Sequence, residues 1–222
     1  MPEKMDFKIL KIFPFIFSAC ISCVVLCTAM LCIYGKFSGF FLTVELFRYI
    51  LILSVFFCLY RLSDMFKTLV YADIFYTCFF LAEITDKCLL GLYRFVGDDN
   101  VLVLFCRIAE SIPDIFVMLG GSAVIMGFYH GYVQMKEDAA ASKLKIINYL
   151  WIISEILGII ISDVLFPLFR YYNVDLKVIF FAIMLPVLIF CVVVAVIISV
   201  NTRNFCYSYY LYAYNRAITE VK

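Results

Sequence analysis

Two faces that lipid would reject lie on opposite sides of one stretch, Arg107 to Tyr132, RIAESIPDIFVMLGGSAVIMGFYHGY. Arg107, Glu110 and Asp114 are spaced i, i+3, i+7, so a helix running through Pro113 carries all three on one side. Ala123, Gly127 and Gly131 recur every four positions with Gly120 a turn before, and that seam falls roughly opposite the charges. Unpaired charge is costly in hydrocarbon, and a groove of small residues is useful where another helix backbone approaches. The stretch therefore predicts a helix inside a bundle, with Gly120, Ala123, Gly127 and Gly131 as its packing residues.

What surrounds that helix follows from composition. Hydrophobic residues make up 66% of the 222, charged residues 16%, and the mean hydropathy is +1.04. Ordinary water-soluble domains are roughly half apolar and a quarter charged, so soluble folding is excluded. At about 20 residues per crossing the chain has room for six spans and short loops, with none left for a separate soluble domain. The expected fold is all-α: a polytopic transmembrane bundle with spans 12–34, 40–60, 68–92, 112–133, 146–168 and 178–200, and a short tyrosine-rich cytoplasmic tail, 201–222. Span 4 is expected at the centre. Span 6, the most uniformly apolar, is expected at the periphery.

The chain reads as follows. Lys4, Lys8 and Lys11 precede an unbroken apolar run from Ile12 to Tyr34, which is longer than a signal-peptide core and is expected to remain as span 1. Glu45 and Arg48, at i, i+3 in span 2, can neutralise each other within one helix. Span 3 holds Asp73 and Glu83, with Lys87 one turn beyond Glu83, and Gly97-Asp98-Asp99-Asn100 is the clearest turn. Residues 101–111 fit either an interfacial helix or an extension of span 4, with Pro113 as the joint. Span 5 holds Glu155 and Asp163, and Trp151 with Tyr149 reads as an interfacial anchor. Lys4, Lys8, Lys11, Arg61, Lys67, Lys136, Lys143, Lys145, Arg203, Arg216 and Lys222 fall at one set of span ends. They are eleven of the 18 basic residues, so the positive-inside rule predicts a multi-pass cell-membrane protein with both termini in the cytoplasm.

With that topology, Glu45, Glu83, Asp114 and Asp163 converge on the outer leaflet from four helices, with Arg48 and Arg107 nearby. Glu155 falls near mid-membrane and Asp73 in the inner third. Intramembrane ionisable groups usually face a bundle interior or a watery cavity, so Glu45, Arg48, Glu83, Arg107, Glu110, Asp114, Glu155 and Asp163 form the candidate ligand-binding set. The plainer reading is that the arginines and acids are ion pairs that hold helices together. Glu155 resists that reading, because no Lys or Arg shares its depth. His130, the only histidine, reads as an interfacial polar residue.

Other chemistries lack their residues. The ten cysteines lie mostly within expected spans, where cysteine packs as a small apolar residue, and the shared face of Cys20, Cys23 and Cys27 has no histidine or carboxylate beside it to complete a metal site. There is no HExxH, GxSxG, P-loop or GxGxxG, so no catalytic residue, metal or cofactor is expected. A net charge of +1 with no basic, aromatic-interleaved run argues against nucleic acid. Two functions remain. One is binding or transport of a small cationic solute, an ion or a proton through an outer-leaflet cavity. The other is a sensor or assembly subunit that signals to a protein partner at the cytoplasmic face.

Overall fold

The computed structural model describes residues 7–34, 39–63, 69–96, 100–165 and 180–221. Among them are six helices and no strand: α1 (Phe7–Tyr34), α2 (Gly39–Ser63), α3 (Leu69–Val96), α4 (Asn100–Gln134), α5 (Asp138–Ile159) and α6 (Leu185–Val221). A π turn, Ile160–Leu165, extends α5, and a second, Phe180–Met184, leads into α6.

Each helix packs on its neighbours in sequence and α6 closes on α1, so the six form a ring, with α6 also touching α4 across it. The connections of three to five residues from α1 to α5 make those consecutive helices antiparallel. The cation of Lys11 lies 5.0 Å from the Tyr210 ring, which sets the start of α1 beside the later half of α6. Inside this end the helices meet through aromatic rings. Phe128 of α4 stacks on Phe205 of α6 at 4.4 Å and meets Phe13 of α1 edge-on at 6.0 Å, and all three are fully buried. The α4–α5 corner closes as a Schellman motif. The Glu137 N–H bonds the Tyr132 carbonyl at 3.0 Å, the Lys136 N–H bonds that of Val133 at 3.1 Å, and Lys136 takes φ 63°, where glycine is the usual occupant.

Helix boundaries depart from the expected spans where local sequence favours helix beyond the apolar core. α4 runs unbroken through Pro113 and takes in residues 101–111, so Pro113 is not a joint. The 35-residue helix tolerates it because only the one i−4 bond is lost. α5 begins at Asp138, eight residues earlier than expected, since DAAASKLK is a good helix former and places Ala141 and Leu144 on the same buried face as Ile147 and Trp151. Residues 201–221 are helix continuous with α6, where a tail was expected. α6 buries one face, with Val194, Ile198, Phe205 and Tyr209 along it, and turns most of its apolar surface outward, more so than α4.

The outward faces are apolar on every helix, as Phe15, Phe57, Ile74, Ile115, Ile153 and Val196 illustrate. By length and composition, two described stretches suffice to cross a membrane, Ser111–Gln134 and Ala182–Arg216.

Candidate functional site

Along the axis of the ring lies a cavity of about 40 Å³, lined from all six helices. α1 contributes Phe17, Cys20 and Ile21, α2 Ile52, and α3 Tyr76. α4 contributes Val117, Gly121 and Ile125, α5 Trp151, Ser154 and Glu155, and α6 Cys191, Ala195 and Ile198. The lining is hydrocarbon apart from two thiols, the Ser154 and Tyr76 hydroxyls, the Trp151 indole and one carboxyl, that of Glu155. Two of its polar groups bond to backbone carbonyls of α5. Ser154 donates to the Trp151 carbonyl at 2.7 Å, and the Cys191 thiol donates to the Ser154 carbonyl at 3.8 Å, joining α6 to α5.

Trp151 sets the register of this site. Its indole N–H donates across to the Met118 carbonyl of α4 at 3.0 Å, and its ring lies over Gly121. Because α4 and α5 are antiparallel, one turn up α5 to Glu155 matches one turn down α4 to Asp114, and the two carboxyls are within electrostatic reach of each other. On the other side of α4, Gly120 abuts the Tyr76 ring, and the same reckoning brings Glu83 of α3 to that level. Glu155 therefore does not sit deeper than Asp114 and Glu83, as expected from separate span midpoints. The tryptophan contact slides α5 along α4 until the three acids are level.

Glu83 is tied down. Arg48 of α2 reaches it at 3.5 Å, the Tyr49 hydroxyl donates to its second oxygen at 2.9 Å, and Lys87 approaches at 3.7 Å from the next turn. Lys87 also pairs with the buried Asp86 at 3.4 Å. Arg48 and Glu83 thus act as an interhelical ion pair beside the cavity and do not line it. Of the predicted site residues whose side chains are described, Arg48, Glu83, Asp114 and Glu155, only Glu155 lines the cavity. The side chains of Glu45, Arg107, Glu110 and Asp163 lie outside the described residues. Asp73 is half-buried, with its Oδ1 unbonded, and is not part of the lining.

Two readings of the sequence change with the fold. Trp151 is not an interfacial anchor. It is 7% exposed and wedged between helices, whereas Tyr149 is 67% exposed. Two glycines of α4 receive aromatic rings: Tyr76 fills the notch at Gly120, a residue of the seam read from sequence, and Trp151 that at Gly121, a residue outside it. Gly127 and Gly131 are buried and Ala123 partly so. His130 is exposed and meets its neighbour Tyr129 edge-on at 5.2 Å, which suits a polar surface residue.

Tyr76, Ser154, Gly121, Cys20 and Cys191 were not singled out for this site. Tyr76 carried a signal, since it shares a helical face with Leu69, Ala72, Phe79 and Glu83. The others pack against partners far away in sequence. Among the described residues no three His, Cys, Asp or Glu side chains gather as a metal site. Comparison with protein-family models, with curated proteins and with solved structures finds no match for this chain.

Proposed function

We propose that this chain is a multi-pass membrane bundle of six spans whose axial cavity serves proton-linked or small-cation movement through Glu155. The observation that carries the reading is a lone carboxyl in a cavity lined from every helix. No Lys or Arg lines that cavity, so a charge on Glu155 has no counter-ion in the lining. Acids so placed within membrane helices mark proton relays and ion paths. The membrane setting is supported by the apolar outward faces, which water would not tolerate over so large an area. Size narrows the cargo. A water needs roughly 10–15 Å³, so 40 Å³ holds about three, far below the several hundred Å³ of a typical small-molecule pocket. An amine-bearing solute fits the dimensions poorly, and a proton carried on one or two waters fits them well.

Proteoliposomes with a trapped pH indicator and an imposed potassium diffusion potential test this. Glu155→Gln should reduce proton flux to the leak of empty vesicles, with Glu155→Asp retaining part of it. Equal flux through the wild type and Glu155→Gln would end the proposal.

A second reading, the sensor or assembly subunit, draws on an open polar cleft of about 560 Å³ between the α4–α5 corner and α6, lined by Lys136, Glu137, Asp138, Lys143, Asn201 and Asn204 among others. Under it, deletion of 201–222 releases a stoichiometric partner on purification. A lone, active protein counts against it.

A further inference from the structure

The axial cavity and the polar cleft lie end to end along the same helices. On α4, Ile125 lines the cavity, Tyr132 lines the cleft and Phe128 stands between them, at spacings of three and four that put all three on one side of the helix. On α1, Phe17 lines the cavity, and Phe13, stacked on it at 5.4 Å, lies one turn towards the cleft end. On α6, Ile198 lines the cavity and Asn201 and Asn204 the cleft, with Phe205 on the Ile198 side of the helix. At about 1.5 Å per residue the two spaces are about 10 Å apart along α4 and about 4.5 Å apart along α6.

A layer of carbon fills the interval. Phe128 and Phe205 stack, Phe13 closes on Phe128 edge-on, and Tyr132 covers Phe205 from the cleft side at 5.1 Å. α2 and α3 continue the layer one and two turns from cavity-lining Ile52 and Tyr76, with Val55, Leu59, Ala72 and Leu69, each 0% exposed. Apart from Tyr132, none of these side chains carries a polar atom, so neither a hydrated cation nor a proton on water crosses while the rings stay stacked. Water reaches the layer from the cleft, whose Lys136, Glu137, Asp138 and Lys143 are exposed. Between cleft-lining Lys143 and cavity-lining Trp151, α5 places Asn148, seven residues before Glu155 and so on the same side of the helix. Its Oδ1 is buried without a hydrogen-bond partner, an acceptor that a water passing the rings meets on the way to Glu155.

We propose that the polar cleft is the entrance to the axial cavity at this end of the bundle, and that the Phe128–Phe205 stack is the gate between them, opening to protons on water or to small cations. What passes the gate rests on the carrier role of Glu155; that the rings part cleft from cavity does not. Trp151, the only tryptophan, lines the cavity and reports water there. Phe128→Leu and Phe205→Leu thin the layer without adding a polar group. In detergent, at unchanged helical circular dichroism, each should shift Trp151 emission to longer wavelength and expose it to quenching by caesium ions. In proteoliposomes each should raise proton flux several-fold. Leu62→Ala, which removes as much buried carbon from the end of α2, past the layer, should leave emission, quenching and flux at wild type. Unchanged emission and quenching in both ring variants overturn the gate, as does an equal change in Leu62→Ala. Adding Glu155→Gln separates the two ideas. Lost flux with Trp151 still exposed supports both, whereas undiminished flux with Trp151 exposed keeps the gate and ends the role given to Glu155.

Discussion

Replacing Gly121 by alanine tests the contact that sets the level of the three acids. A Cβ there would lie 2.6 Å from Cε2 and Cζ2 of Trp151 and 2.7 Å from Nε1, where carbon atoms ordinarily rest at about 3.5–4.0 Å. Trp151 cannot easily yield. Its ring is buried and its indole is bonded to Met118, so moving it by an ångström sacrifices that bond. Overpacking costs about 1–3 kcal/mol and the lost bond about 1, against about 1 kcal/mol gained when alanine replaces glycine in a helix. The net is a loss of about 2 kcal/mol. Gly120→Ala meets the Tyr76 ring at 3.1 Å, which a small shift relieves, and should cost less. Gly158→Ala meets nothing within 4 Å and should be neutral or slightly stabilising. Thermal unfolding in detergent ranks the three. Because Trp151 is the only tryptophan, its fluorescence should shift in Gly121→Ala alone. In a Trp151→Phe background the smaller ring should remove most of the penalty, giving a coupling above 0.5 kcal/mol. If Gly121→Ala proves as stable as Gly158→Ala, with unchanged emission, Trp151 does not sit on Gly121 and the derived level of Glu155 is wrong.

Further outcomes follow from other contacts. Arg48→Ala leaves Glu83 without its α2 cation in a largely buried setting and should destabilise by about 3 kcal/mol; Tyr49→Phe should cost about 1, both measured by thermal unfolding. Phe205→Ala removes the ring between Phe128 and Tyr209 and should cost about 3–5 kcal/mol, loosening the α4–α6 contact in hydrogen exchange. Lys136→Gly relieves a left-handed backbone at the α4–α5 corner and should raise stability by about 1 kcal/mol in the same unfolding assay. A drop on that substitution would mean that the lysine side chain holds the corner.

The sequence by itself determined the class of fold and the location of its helices. Apolar runs as long as Ile12 to Tyr34 are marked out by composition, and helix formation depends on contacts within four residues, all of them visible in the string. It also picked out α4 as a helix needing partners on more than one side. It singled out Glu155 too, though for a depth free of basic residues, whereas the fold sets Glu155 level with Glu83 and that acid's partners Arg48 and Lys87. Where helices end was harder to see, since Asp138–Lys145 and Asn201–Val221 are helical by local propensity while their polarity suggested loop and tail.

Only the tertiary structure decided the rest. Depth along each span can be counted from sequence, but the sliding of one helix against another is set by a side chain entering a notch, here Trp151 at Gly121 and Tyr76 at Gly120. These contacts join residues 30 and 44 positions apart, so no local pattern encodes them. That packing brings Glu155 level with Asp114 and Glu83, gives Glu83 to Arg48 and Tyr49, and leaves Glu155 the one carboxyl among the described residues that line the axial cavity.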